Sequence, residues 1–301
     1  MTSTTKTILD QFQVRKSKKQ KTAFIEWMEL VVRANGYEMK IEKGNGARNI
    51  VIGDVERACV VFSAHYDTCA VMPFPNFITP KSIPVYLVYQ LVLTFVILGI
   101  ALVISVAARF LVPEFSGLAA LAALYGTLGL MIFGPANRHT ANDNTSGVTA
   151  VLDLIQAMPE ELKEKAAFVL FDLEEAGLFG SAAFASKHKK VMKDKLLVNM
   201  DCVSDGETML FCLRKKAKQD EALFRASFPS DSRVETEFVT KGYVYPSDQA
   251  NFPRGVGVAA LLKTKGGMLY MDKIHTPKDT VYREENIAYL VEGCIRLTQN
   301  V

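Results

Sequence analysis

Apolar runs and amphipathic stretches alternate along most of the chain. Apolar side chains recur at helical spacing over residues 24–32, 148–158, the stretch that ends at 190, 220–227 and 284–297. Short apolar or alternating runs predict strands at 37–41, 49–52, 58–63, 166–170, 195–200, 208–213, 234–239 and 256–262. Because strands alternate with helices, we predict an α/β fold, a three-layer sandwich with a mostly parallel central sheet.

Two long uncharged runs interrupt this pattern. Residues 84–108 contain no charged side chain and are long enough to cross a bilayer core. After a short break that contains Pro113, residues 116–134 form a second uncharged run, rich in Ala, Gly and Leu. We interpret 84–134 as a transmembrane helical hairpin inserted into a discontinuous domain formed by 1–83 and 135–301. The alternatives are a buried pair of core helices and a hydrophobic dimer interface.

Charged residues beside the hairpin predict its orientation. Basic residues flank the two runs on the outer sides: Lys16, Lys18, Lys19, Lys21 and Lys81 before the first, and Arg138 after the second. Since positive flanks stay in the cytoplasm, we expect the catalytic domain to be cytoplasmic and the protein to be an integral membrane protein. Residues 1–21 are polar and basic without an apolar core, so we expect a mobile leader and no secretory signal peptide.

Composition narrows the function only slightly. The net charge of +3 is too small to argue for nucleic-acid binding. The five cysteines are scattered and form no CxxC pair, which disfavours a disulfide framework and a zinc site made of thiolates. This cysteine usage fits a reducing compartment.

Polar residues follow the predicted strands at the points where they end. His65 and Asp67 follow one strand, the pair Glu174 and Glu175 follows another, and Asp201 follows a third. Sites in α/β sheets form beyond the carboxyl ends of strands. Two further candidates, Asp143 and His275, lie in predicted loops. Imidazole and carboxylate ligands suit zinc, cobalt or manganese, and a shared carboxylate suits a two-metal centre.

Each candidate also has an ordinary structural explanation. His65 could be a core histidine, Asp143 a helix cap, Asp201 a turn residue and His275 a loop residue, and paired glutamates often end a strand in solvent. Asp67 could orient the ring of His65 by contacting it, without itself binding a metal. The remaining histidines, His139 and His188, receive no functional role. A catalytic centre is favoured because all the candidates collect at strand ends or loops.

The set of motifs resembles the family 28 metallopeptidases, co-catalytic di-zinc exopeptidases that include bacterial leucyl aminopeptidases. The matching segments are residues 64–68 (AHYDT), 142–147 (NDNTSG), 174–181 (EEAGLFGS), Asp201 and 274–280 (IHTPKDT). They occur in the family's order and extend over about 58–300, apart from the hydrophobic insertion.

The resemblance implies a role for each matching residue. Asp143 would bridge two divalent metal ions, with zinc as the expected metal. His65 and Asp201 would complete one metal site, and Glu175 and His275 would complete the other. Glu174 would be the general base that activates a water shared by the metals.

The resemblance also implies roles outside the ligand set. Asp67 would hold His65, and Tyr243 or Tyr245 would hold the substrate carbonyl. Family members often have a histidine at the position of Gln249, so the contribution of that segment to the pocket is left open.

We therefore expect a membrane-anchored, zinc-dependent aminopeptidase that removes N-terminal residues from peptides. Residues 84–134 would contact membrane lipid, nucleic acid would not be a partner, and homo-oligomerisation is left open. Two alternatives are retained. One is an enzyme like the glutaminyl cyclases, which share several ligands with the peptidases. The other is a metal-free membrane scaffold on the same fold.

Overall fold

The helices and strands of the computed structural model, which describes residues 2–301, follow the predicted α/β alternation. The helices are α1 (Ser3–Gln11), α2 (Lys18–Ala34), α3 (Ile83–Leu111), α4 (Ser116–Phe133), α5 (Gly147–Ala157), α6 (Phe179–Lys187), α7 (Lys189–Met192), α8 (Glu221–Ser227) and α9 (Glu284–Asn300). The strands are β1 (Met39–Gly44), β2 (Ala47–Ile52), β3 (Val60–His65), β4 (Ala166–Phe171), β5 (Leu196–Met200), β6 (Thr208–Leu213), β7 (Glu235–Val239), β8 (Gly255–Lys263) and β9 (Leu269–Tyr270).

A single mixed sheet organises these elements. Its strand order is β1-β2-β4-β3-β5-β8-β6-β7, with β9 paired to β8. The central strands β4, β3, β5 and β8 are mutually parallel, which confirms the predicted parallel centre. Antiparallel pairs lie toward the edges, where β1 and β2 form a hairpin. Its turn contains Asn45 and Gly46, both with positive φ, as tight hairpins require.

Alternation of side chains along the central strands creates two apolar layers. On β3, Val60 and Phe62 face the layer formed with α2, α5 and α9, whereas Val61 faces the layer formed with α6. These side chains are fully buried on both faces. Since both faces of the parallel strands are covered by helices, the fold is a three-layer sandwich.

The strand order brings three chain segments to one edge of the sheet. β3 lies between β4 and β5, and His65 at its end is in register with Phe171 at the end of β4. β5 ends at Met200 on the other side of β3. The loops that follow these three strands therefore leave the sheet side by side, where α/β folds place their sites.

The N-terminal segment is ordered, so the prediction of a mobile leader over residues 1–21 is wrong for the part that the structure describes. In α1, Ile8 is completely buried, and the ring of Phe12 stacks on Trp27 at 5.1 Å. A capping box formed by Ser17 and Gln20 starts α2. The apolar positions of α1 are few, but they complete the layer against α2 and α5.

The two uncharged runs form the helices α3 and α4, which pack mainly against each other. The most apolar windows of the two spans have mean hydropathies of 2.9 and 1.7, and only 11% and 0% of their residues are buried. They are long and apolar enough to cross a membrane, and they are not core helices of this chain. α3 continues to Leu111, beyond the predicted end at Ala108, because the first helix breaker is Pro113.

Candidate metal centre

Asp143 lies at the middle of the candidate site, between two histidines. Its Oδ1 is 3.3 Å from Nε2 of His65, and its Oδ2 is 3.1 Å from Nε2 of His275. Each carboxylate oxygen therefore faces a different imidazole. Asp143 is 3% exposed, so both contacts are shielded from solvent.

Two groups of potential metal ligands share Asp143. The first contains His65 and Asp201, whose Nε2 and Oδ1 atoms are 3.4 Å apart, and the second contains Glu175 and His275, whose Oε2 and Nε2 atoms are 3.3 Å apart. The ligand atoms of each group lie within 4.8 Å of one another. Donor atoms bound to one zinc ion, each about 2.0–2.3 Å from it, have separations in this range. The structure thus brings together all five residues that the sequence suggested as ligands.

The paired glutamates lie in a tight turn after β4. Leu173 and Leu178 adopt positive φ, and Gly177 has a φ of 120°. The turn directs both Glu174 and Glu175 into the cavity, which a continuing strand would prevent. Backbone strain at non-glycine residues costs energy and concentrates at functional sites.

Asp67 supports this turn more directly than it supports His65. Its Oδ1 accepts the backbone N–H of Glu174 at 3.0 Å, and its Oδ2 accepts that of Glu175 at 3.3 Å. The distance from Oδ1 to Nδ1 of His65 is 3.7 Å, and that nitrogen lies closer, at 3.1 Å, to the backbone oxygen of Asp67. Asp67 therefore fixes both the glutamate turn and the histidine ring, the former with its carboxylate and the latter with its carbonyl.

Asp279 fixes the loop that contains Asp143. Its carboxylate oxygens accept the backbone N–H groups of Asn142 at 2.8 Å and of Asp143 at 2.9 Å. Asn144 anchors the other side of this loop by donating to the backbone oxygen of Met200 at 3.0 Å. These contacts connect the loop of Asp143 to the end of β5 and to the loop before α9. Sequence patterns did not assign Asp279 a role.

The side chain of Arg15 is buried next to the candidate metal centre. The Nε of Arg15 donates to the backbone oxygen of Tyr66 at 2.6 Å, and its guanidinium lies 3.3 Å from the hydroxyl of Thr145. Burial lowers the pKa of Arg15 to about 10, although the nearby carboxylates of Asp67 and Asp143 favour its charge. Arg15 thus places a positive charge beside the carboxylates and joins the loop after β3 to the loop of Asp143.

A cavity of about 280 Å³ opens onto the candidate ligands. Tyr245 lines it and donates its hydroxyl to the backbone oxygen of Asp201 at 2.8 Å, whereas Tyr243 lies outside the lining and packs on a neighbouring apolar cluster. Gln249 is buried and donates to the backbone oxygen of Tyr245 at 2.9 Å. Gln249 therefore supports the cavity wall and does not line the cavity.

Burial and mutual charge shift the pKa values of the centre in the absence of metal. Burial opposes protonation of the histidines, but the surrounding carboxylates outweigh it, so the pKa of His65 lies well above its ordinary value and that of His275 rises to about 9. Burial raises the pKa of Glu174 strongly and that of Glu175 to about 8. Protons thus supply the positive charge that the cluster of carboxylates requires.

The two remaining histidines lie away from this centre. His188, which follows the last residue of α6, pairs with Glu42 at 2.8 Å, and neither it nor His139 belongs to the ligand groups found among residues 2–301.

Comparison with known proteins identifies the family. The model of peptidase family M28 matches residues 122–289, more than half of the chain. The chain belongs to this family, and its class is that of the metallopeptidases. The matched region contains Asp143, the glutamate pair, Asp201 and His275, whereas His65 lies before the hydrophobic hairpin and outside the match. A search of curated proteins found no match.

Solved structures of similar fold include peptidases and cyclases. The LapA aminopeptidase of Legionella pneumophila is 12% identical with a TM-score of 0.58, over 98% of this chain and 69% of that chain. A leucine aminopeptidase precursor from Bacteroides thetaiotaomicron is 13% identical with a TM-score of 0.59, and the match covers 99% of this chain and 94% of that chain. The glutaminyl cyclase of Porphyromonas gingivalis is 15% identical with a TM-score of 0.59, and the match covers 98% of this chain and 96% of that chain. At these identities the likeness is one of fold.

The metal-free protein is expected to lose stability as the pH rises from 6.5 to 9. The pKa of Glu175 rises from 4.5 to about 8 in the folded protein, and that of His275 rises from 6.5 to about 9. The folded state therefore binds more protons than the unfolded state in this window, so raising the pH favours unfolding.

Thermal unfolding of chelator-treated protein in mild detergent measures this effect. Added zinc should remove the decline, because the ionised carboxylates and neutral imidazoles then bind the metal. A metal-free midpoint that stays constant or rises over the same pH range would contradict the electrostatic description.

Proposed function

We propose that this protein is a membrane-anchored aminopeptidase whose reaction depends on two divalent metal ions, with zinc as the expected metal. The observation that supports this most strongly is the position of Asp143, whose two oxygens face two separate ligand groups. A shared carboxylate of this kind is typical of two-metal hydrolytic sites. Membership of peptidase family M28 agrees with hydrolysis of a peptide bond.

The residues of the centre fit such ions. Glu175 Oε1 is buried and has no hydrogen-bond partner among the described residues, an arrangement that a cation would relieve. His65, Asp143 and Asp201 would hold one ion, and Asp143, Glu175 and His275 the other. When bound, two divalent ions would polarise the scissile carbonyl and lower the pKa of water. Imidazole and carboxylate donors suit zinc.

Glu174 is placed to move protons. Its side chain lines the cavity, and its backbone is held by Asp67. It is not in the two groups built on Asp143, although its carboxylate lies within 4.8 Å of donor atoms of His65 and Glu175. We assign it the role of accepting a proton from the attacking water. The same carboxylic acid would then donate that proton to the leaving amine, which balances the hydrolysis.

The cavity favours an apolar residue of the substrate. Besides the ionisable groups, its walls contain Ile78, Leu178, Met271 and Ile274. We therefore propose that the enzyme acts on peptides with an apolar N-terminal residue, and that Tyr245 in the wall helps to position the substrate.

The hairpin of α3 and α4 would anchor the enzyme in the membrane through residues 84–134. The domain formed by 1–83 and 135–301 would lie on the cytoplasmic side, because the basic flanks favour that orientation. The segment before α3 also borders the cavity: the backbone of Ile78 pairs with Met271, and the N–H of Asn76 donates to the oxygen of Ile274 at 3.2 Å. Membrane anchor and substrate cavity are therefore neighbours along the chain.

Glutaminyl cyclisation is the second candidate, because the glutaminyl cyclase of Porphyromonas gingivalis shares the fold. In that reaction the substrate's own amine attacks an amide carbon and ammonia leaves, so no water needs activation. Two ligand groups that share Asp143, with Glu174 beside them, suit hydrolysis better, since hydrolysis requires an activated water.

Replacement of Glu174 tests the proposed reaction. We expect Glu174→Gln to lower kcat by about 10²–10⁴-fold, the usual effect of a general base, while the metal content stays unchanged. The measurement follows a pool of peptides with free and acetylated N-termini by mass spectrometry, using detergent-solubilised protein with added zinc. Exposed Glu164→Gln is the matched control and should retain full activity.

The products distinguish the candidate functions. Stepwise loss of residues from free N-termini supports the aminopeptidase. Cleavage inside acetylated peptides would contradict it, and loss of ammonia from peptides that begin with Gln would favour the cyclase. Protein that purifies without metal and leaves every peptide intact would favour a metal-free membrane scaffold on the same fold.

Cys59 reports the orientation of the domain in the membrane. It is exposed, whereas the other four cysteines are buried. We expect a membrane-impermeant maleimide to leave the protein unlabelled in intact cells and to label it after permeabilisation. Cys59→Ser should abolish that labelling. Labelling of the wild-type protein in intact cells would place the domain outside and contradict the proposed orientation.

A further inference from the structure

Cys69 lies inside the candidate metal centre, although no sequence pattern marked it as a ligand. Its side chain is 1% exposed. Its Sγ belongs to the same group as donor atoms of Asp143, Glu175 and His275, and all four atoms lie within 4.8 Å of one another. This is the separation expected of donors that surround one metal ion, since a zinc–sulfur bond is only about 2.3 Å long.

The backbone around Cys69 is held from two sides. The oxygen of Cys69 accepts the N–H of Asn137 at 3.1 Å, and the next residue, Ala70, pairs with Ala136. The N–H of Met72 donates to the oxygen of His275 at 2.7 Å. Because these contacts attach the segment to the chain that follows α4 and to the loop of a candidate ligand, the direction of the Cys69 side chain is fixed.

The other cysteines do not share this placement. Cys202 is also buried beside the centre, but its Sγ lies 3.2 Å from Oδ1 of Asp201 and belongs to none of the ligand groups found among residues 2–301. Cys212 and Cys294 lie in the apolar layers, and Cys59 is exposed. The chain therefore offers Cys202 as a matched control for Cys69.

We propose that Cys69 is a fourth protein ligand of the metal position formed by Asp143, Glu175 and His275. The inference rests on the proposed function, because it requires a metal in the centre. As the sulfur–metal bond forms, the thiol releases its proton to solvent, and no oxidation or reduction takes place. Thiolate is a preferred zinc ligand, and a bound divalent ion deprotonates a coordinating thiol.

This ligand makes the two metal positions unequal. The position of His65, Asp143 and Asp201 has three protein donors, which leaves a coordination place open as in catalytic zinc sites. The position that includes Cys69 would have four protein donors, one more than the other, and a water shared by the metals would be an additional ligand there. The first position would therefore offer the open place for substrate, and the second would hold its ion more firmly.

Cobalt substitution tests the assignment on the full-length protein in mild detergent. Cobalt bound to thiolate produces a sulfur-to-metal charge-transfer band in the near ultraviolet, which oxygen and nitrogen ligands do not produce. We expect this band in the wild-type protein and in Cys202→Ser, and its complete loss in Cys69→Ser. X-ray absorption of the zinc-loaded wild-type protein should also show a zinc–sulfur distance of about 2.3 Å, independently of how the variant folds.

Three outcomes would overturn the inference. Cobalt bound to the wild-type protein without the band, or zinc bound without a sulfur neighbour, would exclude Cys69 as a ligand and leave the proposed peptidase intact. A band that survives in Cys69→Ser and disappears in Cys202→Ser would assign the sulfur to the other cysteine. Wild-type protein that binds neither metal would remove the basis of the proposed function itself.

Discussion

The concentration of negative charge at one buried edge of the sheet is the constraint on which the rest of the site depends. Asp143 and Asp201 are buried there, and the half-buried Glu174 and Glu175 converge on them from the cavity. Burying unpaired carboxylates costs free energy of folding, so such a cluster is stable only when positive charge lies close to it. Without metal, protonated side chains and the buried Arg15 supply that charge. Two divalent ions would supply it more fully, and this is the physical reason for placing them there.

The surrounding structure positions this cluster through main-chain contacts. The carboxylates of Asp67 and Asp279 each accept two backbone N–H groups, and each thereby fixes a loop that presents ligands. The parallel register of β3 with β4 and β5 brings those loops to the same edge. The base of the hydrophobic hairpin joins the same structure, since Ala70 pairs with Ala136 next to the ligand loops.

Much of the fold and the candidate positions at strand ends could be predicted from the sequence because both depend on local patterns, whereas the ligand roles rest on the resemblance to the family. Buried strands appear as apolar runs, and His65, Glu174 and Asp201 stand just after them. The residues that were missed act through distant partners. Asp279 contacts Asn142, 137 positions away, and Arg15 contacts Tyr66, 51 positions away. Arg15 also lies in a polar segment with few apolar positions, so its burial and the order of α1 depend on packing that no local pattern reveals.

The most direct measurement of the central claim is the number of metal ions that purified, zinc-equilibrated protein binds, determined by elemental analysis. The shared position of Asp143 predicts about two ions per chain for a two-metal hydrolytic site. His65→Ala should retain about one, because the group of Glu175 and His275 remains complete, whereas Asp143→Asn should weaken both positions together. A wild-type protein that binds no ion, or a His65→Ala variant that loses both, would contradict the account of two ligand groups joined by one carboxylate.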